Sequence, residues 1–541
     1  MFSIGKYKSP PFNVVLPQST FDMKILSRLQ LLVCLIFAGL ILTLTTQPLL
    51  GQTPEDQGWT QPFLIGKGWW QSIAIDRQDQ VHIGWYGNDV KTATKANFDV
   101  LSYRQRSRDG VWSETNDVLF AGNIGGYTVR NALAATNDGM IHAVFRGTYL
   151  HYFSSAPVSS AIDAKSWTKA VPIDLLGYYV NMAAERNDDL HIVYSGSSDV
   201  GNYRDGSQAN LELNPCALCS DLFTRRSIDG GKSWDTAIPV SLETDSGADR
   251  PDIFQGPSGR VYISWDEGYD WYIGRGTPKD VRIVYSDDSG VTWSKPIILD
   301  GGALPDRRPV QIALGEMEDG GLMAVWRYSS YLDRNIYYQI SKDIGKTWTA
   351  PTAIPGIFNR IIDDTPLDDY EIKLDKLGTL HLFVVGLLDP KSSANPALYH
   401  IEYRGDNWQT PQRVFGDTLM RPEWPKVVIS SQNDIHLSWF IRIRNPDKTE
   451  SLQVYYSFLK GSLPQQALPT FLPTPTSLPT ATVFQNFIPT KTPFPTVVMK
   501  AETDGVPNTD IYAIETVLGG VFMVGVFCLG VSLLYRFVTR R

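Results

Sequence analysis

From residue 59 to about residue 460 the chain is built of short apolar stretches in which polar residues alternate with Val, Ile, Leu, Phe, Tyr and Trp. Gly, Asp, Asn and Pro cluster at their ends. A period of two with this β-branched and aromatic content predicts antiparallel strands joined by turns. The pattern also repeats. Each unit opens on an apolar strand such as Ile73-Ala74-Ile75-Asp76, turns at polar residues, and returns on a strand carrying His or a substitute at its second position. The returns are Val81-His82-Ile83-Gly84-Trp85, Ile141-His142-Ala143-Val144, Leu190-His191-Ile192-Val193, Val261-Tyr262-Ile263-Ser264-Trp265, Leu322-Met323-Ala324-Val325-Trp326, Leu380-His381-Leu382-Phe383 and Ile435-His436-Leu437-Ser438-Trp439. A Tyr-rich third strand follows, then a turn and a fourth strand that begins at Trp. Four antiparallel strands per repeat is one propeller blade.

The turn before the fourth strand has its own signature. Ser227-Ile228-Asp229-Gly230-Gly231-Lys232-Ser233-Trp234 returns as Ser286-Asp287-Asp288-Ser289-Gly290-Val291-Thr292-Trp293 and as Ser341-Lys342-Asp343-Ile344-Gly345-Lys346-Thr347-Trp348. Asp can accept from turn amides, Gly supplies a conformation other residues resist, and Trp anchors the returning strand. This is the Asp-box, and the chain resembles the sialidase-like (Asp-box, or BNR-repeat) β-propellers. Box-type Trp residues at 112, 167, 234, 293, 348 and 408 mark six turns. The seventh unit lacks its Trp strand, and Gly58-Trp59-Thr60-Gln61-Pro62 at the other end supplies one. The expected fold is therefore all-β: a propeller of seven four-stranded blades, with six (the sialidase number) as the alternative, closed by the N-terminal strand.

Composition sets the surroundings. A formal charge of −8 points to neither nucleic acid nor an anionic membrane surface. Residues 1–50 hold a basic segment and the apolar run 29–44, a signal peptide or N-terminal anchor. The propeller takes residues 51–460. Residues 461–510 carry eight prolines between Pro464 and Pro495 among threonines, a stalk unable to bury a core. Residues 511–541 contain 19 uncharged residues, 517–535, before Arg536, Arg540 and Arg541, which predicts a transmembrane helix with a short cytoplasmic tail and the propeller outside the cell. Cys216 and Cys219 sit in the longest inserted loop, where a loop-closing disulfide is expected. No spacing in the chain implies a metal or cofactor.

Repetition separates scaffold from site. Histidines 82, 142, 191, 381 and 436 share one blade position and are read as structural. The loops between strands two and three and between blades vary instead, and carry Trp69, Tyr127, Tyr178, Tyr269, Trp271, Tyr272 and the acids Asp363, Asp364 and Asp368. Aromatic planes beside charged groups suit sugars. Counting 12 residues back from each second-strand His reaches Trp70, Arg130, Tyr179, Arg250, Asp369 and Trp424 at the start of the innermost strand. For blade five, aligning Arg308-Pro309 with Arg250-Pro251 on the premise of a longer hairpin places Arg308 in that ring. The resemblance implies three arginines clamping a carboxylate, with a Tyr nucleophile paired to Glu. Tyr370 and Glu267 are the candidates for that pair, and an Asp acid/base is not placed. The family's Phe/Tyr-Arg-Ile-Pro segment is absent, with Val129-Arg130-Asn131-Ala132 nearest to it. Binding of extracellular, acidic glycans is the leading expectation. A sialidase-like glycoside hydrolase and a protein-interaction scaffold stand as alternatives.

Overall fold

The computed structural model describes residues 58–463 apart from 88–98, 123–129, 148–149, 174–176, 197–218, 242–245, 271–274, 300, 303–306, 331, 362–368, 417–419, 445–449 and 462. Contacts divide the chain into units Met1–Thr470 and Phe471–Arg541, and every described residue lies in the first. The leader, most of the stalk and the expected span at 517–535 fall outside the described residues. Among those described, no helix is long and apolar enough to cross a membrane.

The fold is an all-β propeller of antiparallel four-stranded blades, each strand pairing with the next in sequence. Blade one comprises Trp69–Ile75, Val81–Gly87, Asp99–Arg106 and Asn116–Gly122. Blade two comprises Asn131–Ala135, Met140–Arg146, His151–Pro157 and Val171–Pro172. Blade three comprises Gly177–Ala184, Leu190–Gly196, Asp221–Ser227 and Ile238–Ser241, and blade four Gly247–Gln255, Val261–Asp270, Arg275–Ser286 and Ile297–Leu299. The last blade runs Met420–Ile429, Ile435–Arg444, Glu450–Leu459 and then Phe63–Lys67 from the N-terminal side. Closure by the N-terminal strand is thus as expected. Trp59 bridges to Leu459 and is buried against Phe383 and His400, and Thr60 exchanges hydrogen bonds with Ser457 and Phe458.

The expected count of seven separate blades is corrected. Five stand as separate four-stranded sheets, and the nine strands between Pro309 and Phe415 form one sheet. The cause is the strand Thr352–Asn359, which turns at Gly356 (φ +73°) and runs on. Thr352 and Ala353 pair with Tyr338 and Tyr337, while Phe358 and Asn359 pair with Leu387 and Gly386 further round.

Each Asp-box closes in the same way. Asp229 Oδ1 accepts from Ser233 N at 2.9 Å, its Oδ2 accepts from Ser233 Oγ at 2.6 Å, and Gly231 N donates to Ser227 Oγ at 2.8 Å. Asp288 and Asp343 repeat the arrangement with Thr292 and Thr347. These bonds favour the ionised carboxylate and lower the pKa of Asp229 and of Asp288 to about 2. The repeated histidines are buried and tie the second strand to its neighbours. His82 and His436 meet Tyr103 and Tyr456 hydroxyls at 2.6 Å, His142 meets Thr136 at 2.9 Å, and His381 meets Asp375 at 3.2 Å.

Candidate functional site

The inner strand of most repeats starts with a bulge. Register shifts fall between Trp69 and Ser72, between Asp249 and Asp252, between Val310 and Ala313, and between Glu423 and Lys426. Trp70, Arg250, Gln311 and Trp424 adopt φ of +51°, +53°, +60° and +60° inside these shifts. Bulky residues in the left-handed region are costly, and such strain collects where the surroundings fix a functional geometry. Trp70, Arg250 and Trp424 thus share one backbone geometry, and Gln311 shares it with them. The inner strand Pro309–Glu316 of the nine-stranded sheet contributes Gln311, not Arg308. Gly315 pairs with Met323 over the same eight residues that separate Phe254 from Tyr262 and Ala74 from His82, so its hairpin is no longer than the others. Arg308 lies three residues earlier, where its backbone exchanges hydrogen bonds with Ser329.

The ring residues on one side pack into a plug. Arg130 is buried, its guanidinium carbon 4.8 Å from the Tyr179 ring centroid and 4.4 Å from that of Trp424, and its Nη1 donates to the Pro251 carbonyl at 3.2 Å. Trp70 stands edge-on to Trp424 at 4.9 Å. Below them lies a cavity of about 130 Å³ lined by inner-strand residues including Gln71, Asn181, Asp252, Glu371 and Lys426.

On the other side the ring is ionic. Arg250 is salt-bridged to Asp266, whose Oδ2 also accepts from Gln311 N at 2.9 Å. Arg360 Nε donates to both oxygens of Asp369 at 2.9 Å. Arg327, fully buried, donates from Nη1 to the Arg360 carbonyl at 2.9 Å. Among the described residues its Nη2 has no hydrogen-bond partner, and neither has the buried hydroxyl of Tyr370. Burial lowers the Arg327 pKa, while the charges of Tyr370 and Asp369 oppose that shift. Burial raises the Tyr370 pKa, against the pull of Arg327, Arg360 and Arg250. Arginines 250, 327 and 360 thus act on one tyrosine, and among the described residues Arg327 Nη2 has no acceptor.

The expected partnership of Glu267 with Tyr370 is not found. Glu267 accepts from Trp265 Nε1 at 2.7 Å and Ser241 Oγ at 2.9 Å, with Arg282 at 3.6 Å, at the junction of blades three and four. Burial raises its pKa. Adjacent strand residues face opposite sides, so Asp266 rather than Glu267 points to the arginines. Asp266, Arg327 and Arg360 were missed by the ring count. Two were within its reach: the sixth position of each second strand reads Tyr86, Arg146, Ser195, Asp266, Arg327, Val385 and Phe440, a second variable ring. Cys219 is buried and disulfide-bonded, while Cys216 lies outside the described residues. So do Tyr127, Trp271, Tyr272, Asp363, Asp364 and Asp368, and the side chain of Tyr178. His381, His400 and Glu402 bring metal-binding groups together, but the two rings already hydrogen-bond each other at 2.8 Å. His400 takes the place of Tyr103 and Tyr456 in their blades.

No known family profile matches the chain. A sialidase of Clostridium perfringens is 28% identical over 159 residues, which cover 25% of this chain and 42% of that protein. The chain therefore spans less than half the length of this relative. Among solved structures, the polysaccharide lyase Uly1 superposes with a TM-score of 0.49 at 11% identity over 77% of this chain and 94% of that one. The NanB sialidase of Streptococcus pneumoniae gives 0.38 at 11% identity over 76% and 70%. Its turns make the fold an Asp-box β-propeller, and over a quarter of its length the chain is similar to a sialidase.

Proposed function

We propose that this propeller binds glycans bearing carboxylates, and that the carboxylate is held at the channel mouth by Arg327 beside Tyr370. The observation that carries this reading is the Arg327 Nη2 donor left without an acceptor among the described residues, where Arg250 and Arg360 already have carboxylate partners. The match to a sialidase over a quarter of the chain supports a sugar as the ligand. In the same reading the nine-stranded sheet counts as two blades, giving seven, because its inner strands Pro309–Glu316 and Tyr370–Leu374 each pair with a second strand at the usual eight-residue offset. The stalk and the span at residues 517–535 hold the propeller outside the cell, the C-terminal arginines remaining in the cytoplasm. A glycan array probed with the detergent-solubilised full chain tests the function. Carboxylated glycans should bind and their neutral counterparts should not; equal binding of both refutes it.

Hydrolysis is the second reading, favoured by a buried tyrosine set among three arginines. Tyr370→Phe separates the two. It abolishes release from a fluorogenic sialoside if Tyr370 is a nucleophile, and costs at most about 1 kcal/mol in affinity if the site only binds.

A further inference from the structure

We propose that a groove on blade five is a second anion-binding subsite, so that the ligand is an acidic oligosaccharide of at least two charged sugars; this rests on the carboxylate reading of the mouth. The groove has a volume of about 700 Å³ and its lining includes Arg307, Leu332, Asp333, Arg334, Tyr337 and Phe358. Its two arginines are held differently. Arg334 is fixed by Nε and Nη2 bonds to the Asn359 carbonyl at 3.0 and 2.9 Å. Arg307, with its side chain 38% exposed, lies 4.9 Å from the Tyr328 ring centroid and reaches Asp333 only at 3.5 Å. Among the described residues two guanidiniums face one carboxylate, which leaves the groove positive. Leu332, 76% exposed, adds apolar surface of the kind a sugar's C–H face covers.

The groove and the mouth share a wall. Arg334 donates to the carbonyl of Asn359 and Arg327 to that of Arg360, the next residue. The Arg334 charge also acts on Arg327. A second anion in the groove relieves that repulsion as well as meeting Arg307, so a polymer with a charge on each sugar suits the pair better than a single terminal acid. Arg307 at the rim confers selectivity for chain length rather than the bulk of the affinity.

The test is titration of the full-length protein in detergent with (1→4)-linked galacturonate and (2→8)-linked sialate, each as monomer, dimer and trimer. Affinity should rise from monomer to trimer in at least one series, and the responding series tells uronate from sialate. Arg307→Ala should cut that rise about fivefold, the upper range for a partly exposed ion pair, and Arg307→Glu should remove it. Thermal midpoints matching wild type will show both variants folded. A trimer that binds no tighter than its monomer, or a rise that survives Arg307→Glu, overturns the subsite alone. Monomer binding that ignores Arg327→Met overturns the mouth reading instead. Failure of every member of both series to bind overturns both.

Discussion

Arg360 holds both carboxylate oxygens of Asp369 at 2.9 Å, while Arg327, bonded to the Arg360 carbonyl, has no carboxylate within salt-bridge distance among the described residues. The pair divides the labour at the mouth. One arginine is neutralised by the fold, and the other keeps a charge that the fold does not match.

Replacing Arg327 by Met should therefore leave stability within about 1 kcal/mol of wild type or raise it, since apolar side chains of similar volume often replace buried ions without loss. Urea unfolding of the variant measures this. A loss of several kcal/mol would show that Arg327 is a structural ion whose partner lies in the scaffold.

Acid should weaken the propeller well above the carboxylate range. Burial lowers the pKa of His142 to about 4 and those of His400 and His436 to about 3, so the unfolded chain binds more protons below pH 6.5. Their contribution is complete above pH 6.5 and is lost as pH falls towards 3, on the order of 3 kcal/mol for His142 alone. The Asp229 and Asp288 boxes add a second loss between about pH 4 and 2, because their lowered pKa values stabilise the fold only while they are ionised. His400→Tyr, which installs the partner that His82 and His436 already have, should flatten the first slope. Equal stability at pH 7.5 and 4.5 in the wild type would sink this prediction.

Trp59→Ala should cost about 3–5 kcal/mol, the usual range for truncating a buried Trp, because Trp59 closes the ring against Phe383 and His400. Deleting residues 58–67 should lower the melting midpoint of the whole propeller further, by opening the last blade. A deletion variant with an unchanged midpoint would contradict closure by this strand.

Topology can be checked on intact cells. Protease should release the propeller by cutting between about residues 462 and 508, where proline and threonine dominate. A tag after Arg541 should stay protected until the membrane is opened. Accessibility of that tag on intact cells would invert the proposed orientation.

Much of this was legible in the sequence because a propeller repeats its signals. The second-strand His position and the Asp-box both recur in the structure. Arg308 was misplaced because the likeness of Arg308-Pro309 to Arg250-Pro251 outweighed a spacing that the hairpin keeps. Glu267 was named where its neighbour Asp266 meets Arg250, because one step along a strand reverses the side chain. The joined sheet was not legible, since a Pro-Gly pair such as Pro355-Gly356 ordinarily marks a turn, whereas this strand bends there and continues. Arg360 follows that bend, outside both rings, so no repeat could point to it.

The most direct test is calorimetric titration of the full-length protein with galacturonate and sialate trimers, and with the same trimers after their carboxylates are reduced to alcohols. Wild type should bind an acidic trimer and lose it on reduction, and Arg327→Met should weaken the acidic form by about tenfold or more, the range for a hydrogen bond to a charged group. Undiminished affinity in folded Arg327→Met, or equal affinity for the acidic and reduced trimers, would contradict a carboxylate site at Arg327.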